Sequence, residues 1–599
     1  MKKHMSFVLV ICFLAAPWVS AQAQTEEQKT DLIEALSLVK EPLPVPDKVK
    51  TGFESITGND AYTYLSFLAS DELEGRDTAS PGYAAASQYA ASMFRLWGIE
   101  PAGDLIKPRR GRFMGTGPAQ PAAPRKGYFQ NIAFKEILDV SGSILAEWRK
   151  GTEKKTNTYV LNQDYTLTAG GTQSFSAPVA FVGYGIQEST LKLDEYSGLD
   201  VKGKIVMMLT ENPGKDDPDS PFNQGDLKKK YNPQAQPMRR FISPKVELAR
   251  KMGAVAVIMV ENSVEKNKDV ADGILAARKV SDERPIFPEP RRRLTLVEGK
   301  NDIPMPWDRI SVIRVSREMA DGILGHTGQS IGGLKGKIES SLKSHSMVLP
   351  GVTLTVDIRA KNKLVGSRNV IGLIEGSDPQ LKDEVIVIGA HLDHLGKRGD
   401  YIFNGADDNG SGSVGVMELA EAFAKNPNKP KRSILFALWT GEEKGLLGSR
   451  YYVSHPVFPL KKTVVCLNLD MISREWNASR LKMMSRMMGM EVGDDIMDKI
   501  DIKSFISLNY DAHTPELGEI LRAGNQYVGL SLLLRKTEEA MGGSDYAPFG
   551  LNKVPWVAFM AAMTEDYHQP SDSIEKVSRP LMEKIIRITY LTAYTLADK

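Results

Sequence analysis

Cysteine is nearly absent: the 599 residues contain two, Cys12 and Cys466. Cys12 lies inside an amino-terminal apolar stretch and follows Ile11, not a small residue, which argues against a lipid-attachment site. Lys2 and Lys3, the apolar stretch Phe7 to Ala16, and Val19-Ser20-Ala21-Gln22-Ala23 together read as a secretory leader cut after Ala21 or Ala23. The stretch is shorter than a bilayer span requires, so a membrane anchor is the weaker reading. Removing residues 1–23 leaves Cys466 alone, so the expected exported chain has no internal disulfide and must be stabilised by its core. Cys466 sits in the run Val464-Val-Cys-Leu467 and reads as core filler. Charge of one sign is also lacking. Lys+Arg 76 against Asp+Glu 74 gives a net +2, too little to draw the chain to nucleic acid or a membrane surface. No later segment is apolar for long enough to span a bilayer. The expectation is a periplasmic or extracellular protein of two or more domains.

What is present is a change of pattern along the chain. Helical spacing covers Asp60 to Leu68 and Tyr83 to Trp97, and Lys107 to Lys126 predicts a solvated loop. From about Thr168 to His345 short strand-like runs appear, Val179 to Gly183, Lys204 to Leu209 and Ala254 to Val260, with a helical run from Lys245 to Met252. Neither His326 nor His345 has ligand spacing. The basic tracts Lys228-Lys-Lys230 and Pro290-Arg-Arg-Arg293 read as exposed loops. Residues 168–345 therefore read as a mostly β domain inserted between residues 24–167 and 346–599 of another. From about Pro350 the chain alternates. Strand candidates are Asn369 to Ile374, Val385 to Ala390, Ser433 to Thr440, Thr463 to Leu469 and Val554 to Met560; helices fit Ser413 to Ala424, Pro515 to Ala523 and Arg579 to Leu596. Near-continuous apolar strands between amphipathic helices predict an α/β sheet covered on both faces. Ligands of such sheets gather outside the carboxyl ends of the strands.

The donor residues follow that rule. Glu442 and Glu443 end the apolar run Ile434 to Gly441, and neighbours on a strand point to opposite faces. One carboxylate can then hold a metal while the other faces the water that the metal activates. His391-Leu392-Asp393 ends another strand, and residues i and i+2 share a face, so Asp393 is placed to orient or polarise His391. Asn404 to Gly412 leads into a helix amino end that favours negative charge, which places Asp408 to bridge two cations. Asp470 ends the strand Val464 to Leu469, and Tyr567-His568 follows the last strand. Taken singly, each of these is more often a surface or turn feature than a ligand. Together they form a mixed imidazole and carboxylate set that suits zinc, with cobalt or manganese as substitutes. Split around Asp408, the set puts His391 and Asp470 on one metal, Glu443 and His568 on the other. Each metal keeps an open position, and Glu442 is left as general base. His394, His455 and His513 have no comparable position and read as surface or outer-sphere residues.

These motifs resemble the co-catalytic zinc exopeptidases, a family that includes bacterial secreted aminopeptidases, glutamate carboxypeptidase II and the transferrin receptor. The residues that carry the resemblance are His391-Leu-Asp393, Ala406 to Gly412, Gly441 to Ser449, Asn468 to Met471 and Tyr567 to Asp572. Leu68 to Arg76 with Pro81-Gly82 is similar to the family's lead-in. Gly183 to Ile186, Gly198 to Ile205 and Lys251 to Val260 look like its protease-associated insert. The resemblance implies a mixed, mostly parallel sheet with helices on both faces and two zinc ions per subunit. It implies Asp408 as bridge, His391, Glu443, Asp470 and His568 as terminal ligands, Glu442 as base and Tyr567 as oxyanion donor. One departure is Tyr546, where relatives often have His, which bears on pocket shape and not on metal binding.

The leading expectation is an aminopeptidase acting on peptides, because an acidic site favours a cationic substrate end. A carboxypeptidase or dipeptidase is the alternative and needs arginines to hold a carboxylate, for which Arg474, Arg522 and Arg535 are the candidates. A cyclotransferase is more remote, since the full ligand set suits two metals. A non-catalytic receptor would have lost ligands, and none is missing.

Overall fold

The computed structural model describes residues 35–106, 125–167, 172–231, 243–261, 292–297, 310–487, 494–538, 540 and 543–599. The expected leader over 1–23 lies outside the described residues, as do 107–124 of the expected loop and the start of the tract at Pro290.

Helix α1 (Pro81–Leu96) begins where the Ser80 hydroxyl accepts the Tyr83 N–H, with proline at the first helical position. Ala86, Ala90, Ala91 and Phe94 are its buried face. Strand β1 (Phe129–Lys150) then carries the chain away from this core. Next come β2 (Gln173–Phe181), β3 (Ile205–Leu209), β4 (Ala256–Val260) and β5 (Ser311–Val315), parallel neighbours in that order. Strand β6 (Met347–Ile374) returns, antiparallel to β1 from Val352↔Trp148 to Val370↔Phe129. A separate core fills this middle part, with Val179, Phe181, Ile205, Met207, Ile258 and Ile313 among its members. It also takes in Ile144 and Ala146 of β1 and Leu349 to Ile358 of β6. The second core thus reaches past residues 168–345, because one pair of long strands serves both cores. The helices Arg317–Leu324 and Ile331–Ser341 belong to it as well, whereas Ala249 of the helix Pro244–Lys251 packs on the other face of these strands, with Ala180, Val206 and Val257.

The strands that follow β6 in the main sheet are β7 (Val385–His391), β8 (Ser433–Trp439), β9 (Thr463–Leu469), β10 (Phe505–Asp511), β11 (Ser531–Thr537) and β12 (Trp556–Met560). They are ordered β6–β8–β7–β9–β12–β10–β11. Strands β8, β7, β9 and β12 are parallel, β6 and β10 run against them, and β11 follows β10. The sheet is mixed and mostly parallel. Every residue of β7 and β8 is buried, as a sheet covered on both faces requires. One face packs on α1, α2 (Gly412–Lys425) and α3 (Arg579–Asp598), and the other on a smaller core around Trp439, Tyr452, Phe549 and Trp556. Cys466 is a buried free thiol in that smaller core. Because the four central strands are parallel, their carboxyl ends meet at one edge.

Glu418 is buried on α2, and burial raises its carboxyl to about 8, with Glu421 and Asp60 adding to the rise. The folded value lies above the ordinary 4.5, so the unfolded chain loses its proton first. Stability is therefore lost as pH rises from about 4.5 to about 8. Glu418→Gln should raise Tm by an amount that grows across that window and then levels off. An equal Tm difference at pH 5 and pH 8.5 would count against this.

Candidate metal centre

The donors converge on Asp408. His391, the last residue of β7, has its Nε2 3.3 Å from Asp408 Oδ1 and 3.5 Å from Asp470 Oδ1. On the other side, His568 Nε2 lies 3.1 Å from Asp408 Oδ2 and 3.3 Å from Glu443 Oε1. Asp408 thus turns one oxygen toward each group, which is the geometry of a bridging carboxylate. Donors bound to zinc at 2.0–2.2 Å lie about 3.3 Å apart around a tetrahedron, so these separations are the edges of such a shell. The burial of the donors tests the fit independently. Asp408 Oδ2 and Glu443 Oε1 are buried with no hydrogen-bond partner, a state that is expensive unless a cation lies between them.

The loops that carry these donors are held by a set of buried bonds. Gly441 at φ +71 and Gly445 at φ +105 bracket the single turn Glu442–Lys444, conformations in which a Cβ would be strained. Inside that turn the Glu442 N–H donates to Asp393 Oδ1 at 3.1 Å, and the Thr78 hydroxyl donates to Asp393 Oδ2 at 2.7 Å. The expected pairing of Asp393 with His391 therefore takes another form. The His391 Nδ1 contacts the backbone oxygen of Asp393 at 3.0 Å, while the carboxylate is committed to Glu442 and Thr78. Asp572 accepts the N–H groups of Asp407 and Asp408 and the Arg474 guanidinium at 2.6 Å. The buried Arg76 donates to the carbonyls of Leu392 at 3.0 Å, Asn404 at 2.6 Å and Gly405 at 3.0 Å. One guanidinium thereby joins the loop of His391 to the loop of Asp408. In the sequence Arg76 stands out only as the end of a lead-in motif, since a clamp on carbonyls leaves no spacing signal.

Electrostatics follow from crowding acids at a buried edge. Burial drives the Glu442 carboxyl well above its ordinary range; the His391 imidazole opposes this, and Glu443, Asp545 and Asp470 reinforce it. Burial acts in the same direction on Glu443 and Asp408, but the surrounding imidazoles prevail and hold both below the ordinary range. Burial would lower His568, yet Glu443 and Asp408 carry it up to about 10. A divalent cation reverses this logic, since it favours carboxylate and neutral imidazole together.

Glu442 has Oε2 3.9 Å from His391 Nε2 and its side chain is 15% exposed, so it stands at the mouth of the cluster. The Tyr567 ring stacks on His568 with centroids 3.8 Å apart. Tyr546 is buried and stacks on Trp556. His394 is not on the surface: it is fully buried, with Nδ1 2.8 Å from Glu443 Oε1. The sequence signal for it is a second histidine three residues after His391, but a strand alternation carried past the strand end cannot place it. His513 is exposed, and His455 is partly buried with its Nδ1 near the Tyr451 carbonyl. Of the candidate arginines, Arg474 is engaged with Asp572 and Arg522 with the Leu36 carbonyl. Arg535 lies on β11, two strands from β12.

Residues 369–593 match Peptidase family M28. The chain is 27% identical over 389 residues to a glutamate carboxypeptidase 2 homolog of Caenorhabditis briggsae, covering 59% of this chain and 44% of that protein. It is 28% identical over 243 residues to aminopeptidase YwaD of Bacillus subtilis, covering 39% of this chain and 45% of that one. The chain thus spans less than half the length of these curated relatives. Among solved structures, an aminopeptidase from Aneurinibacillus sp. strain AM-1 aligns at 18% identity over 91% of this chain and 95% of its own, with TM-score 0.45. The buried histidine and carboxylate cluster lies inside the span that matches peptidase family M28.

Proposed function

We propose that this protein is an exported aminopeptidase working with two zinc ions. The observation that supports this most is the two-sided donor cluster around Asp408, with Glu442 beside it and outside both groups. In this reading His391, Asp408 and Asp470 hold one ion, and Asp408, Glu443 and His568 hold the other. When bound, the ions make water acidic near neutral pH and polarise the scissile carbonyl. The chain's own residues do the rest. Glu442, its backbone fixed by Asp393, takes a proton from the attacking water and delivers it to the leaving amine. Tyr567, stacked on His568, supplies a hydroxyl donor to the oxygen that gains charge. The carboxylates around the cluster favour a cationic substrate end, and Arg474 and Arg522, already engaged, are poor receivers for a carboxylate.

Residues 168–345 are proposed as the family's protease-associated insert, and residues 1–23 as the leader that directs export. The insert side contributes Arg292, which donates to Asp77 and Glu136 at 2.8 Å. Asp77 in turn meets Lys444, next to Glu443, at 2.8 Å. This chain of charges ties the insert to the turn that carries the two glutamates.

Glu442→Gln should keep bound zinc and lower kcat by about 10²–10⁴-fold; near-normal kcat at full metal content would remove Glu442 from the role of base. Glu443→Ala or His568→Ala should lower zinc content by elemental analysis, and an unchanged stoichiometry would take that residue out of the ligand set. Aminoacyl reporters and amino-blocked and carboxyl-blocked peptides, with and without a chelator, test the activity itself. Chelator-sensitive cleavage that requires a free amine is expected. Cleavage that requires a free carboxylate would replace this reading with a carboxypeptidase.

A further inference from the structure

We infer that His394 is itself a metal ligand, completing with Asp408, Glu443 and His568 a four-donor shell around one ion. The inference rests on the two-metal reading above and makes the two sites unequal. The ion between His391, Asp408 and Asp470 keeps an open position, while its neighbour is enclosed by protein.

Four observations converge on it. First, His394 is completely buried, and both of its ring nitrogens lack a hydrogen-bond partner. A neutral imidazole has one N–H and one lone pair to satisfy, and a cation beside Nδ1 would take the lone pair, leaving only the Nε2 N–H unpartnered. Second, its Nδ1 lies 2.8 Å from Glu443 Oε1 and 3.9 Å from Asp408 Oδ2. These values bracket the edge of about 3.3 Å expected between zinc donors. The 2.8 Å contact pairs a ring nitrogen with a carboxylate oxygen at the distance of two donors turned toward one point. Third, the His394 and His568 ring centres are 5.9 Å apart. Two imidazoles on one tetrahedral zinc, with bonds of about 2.0–2.1 Å, hold their centres about 5.2 Å apart, so these rings face one another slightly wider than a bound pair.

Fourth, the ring has a seat built for it. Gly405 is at φ +56, and a Cβ there would fall 2.4 Å from His394 Cδ2 and 2.5 Å from its Cγ. The His394 N–H donates to the Arg76 carbonyl at 3.2 Å, and the backbone bridges to Asp77. The imidazole therefore cannot swing away from Glu443 without displacing the loop that carries Asp408. The shells also differ chemically. Two imidazoles and two carboxylates enclose one ion, whereas one imidazole and two carboxylates hold the other, so the enclosed site is the more selective for zinc.

Affinity alone does not separate a ligand from an outer partner, whose loss also lowers metal affinity about 10–100-fold. The imidazole count does. The full-length protein should be stripped with a chelator, reloaded with zinc, and examined by elemental analysis and zinc-edge X-ray absorption. Two zinc ions sharing three imidazoles are expected for the wild type. In His394→Ala the count should fall to two, with zinc retention lowered tenfold or more. Two zinc ions sharing only two imidazoles in the wild type would overturn the His394 assignment alone. Fewer than two zinc ions per wild-type chain would overturn the two-metal reading and this assignment with it. The wild-type measurement decides the matter even if the variant does not fold.

Discussion

Like charges crowded into a buried edge are the constraint around which this structure is arranged. Asp408, Asp470, Glu442 and Glu443 meet there, with Asp393, Asp407, Asp545 and Asp572 packed behind them, nearly all screened from water. Such a set repels itself and loses hydration at once, and it persists only where each carboxylate finds a donor or a cation. The outer acids find donors. Asp572 takes two amides and Arg474, Asp407 takes the Ser473 amide and hydroxyl, and Asp545 takes the Ser449 hydroxyl. Around Asp408 the structure offers imidazoles on both sides, and it is this convergence of imidazole and carboxylate that separates the metal site from the scaffold.

The fold makes the crowding achievable. Parallel neighbours β8, β7, β9 and β12 end at one edge, so side chains distant in sequence arrive within a few ångströms of one another. Strands buried on both faces leave those ends little freedom to shift. Arg76 reaches across from the amino-terminal segment to join two of the donor loops, and Asp393 fixes the turn that carries Glu442. The long pair β1 and β6 leads from this edge into a second core, and Arg292 returns from that side to Asp77. The proposed insert and the proposed catalytic edge are thus one continuous piece of sheet and charge network.

Much of this is legible in the residues alone. The buried strands announce themselves as unbroken apolar runs, and Val385–His391, Ser433–Trp439 and Thr463–Leu469 lie within a residue of where periodicity puts them. Strands β10 and β11 escape that criterion because their polar ends, Asn509 to Asp511 and Arg535 to Thr537, break the apolar run. The ribbon of β1 and β6 escapes it for a different reason: it alternates irregularly as it passes from one core to the other. Among the donors, the order of His391, Asp408, Glu443, Asp470 and His568 along the chain identifies them as a set, and the structure gathers all five. His394 does not join that set by pattern, because its place depends on how the chain turns after β7 and not on any repeat.

The sequence by itself determined which strands are buried, where their carboxyl ends fall and which donor types stand there, because burial and pleating impose short-range patterns on the chain. The tertiary structure decided what those donors face. The Asp393 carboxylate serves Glu442 while its backbone oxygen meets the His391 ring, Arg474 is spent on Asp572, and His394 enters the cluster over Gly405. These are contacts between residues tens to hundreds of positions apart, or across an irregular loop. No local periodicity encodes them. They exist only once packing has brought the loops to one edge and the buried charges have taken the nearest partner.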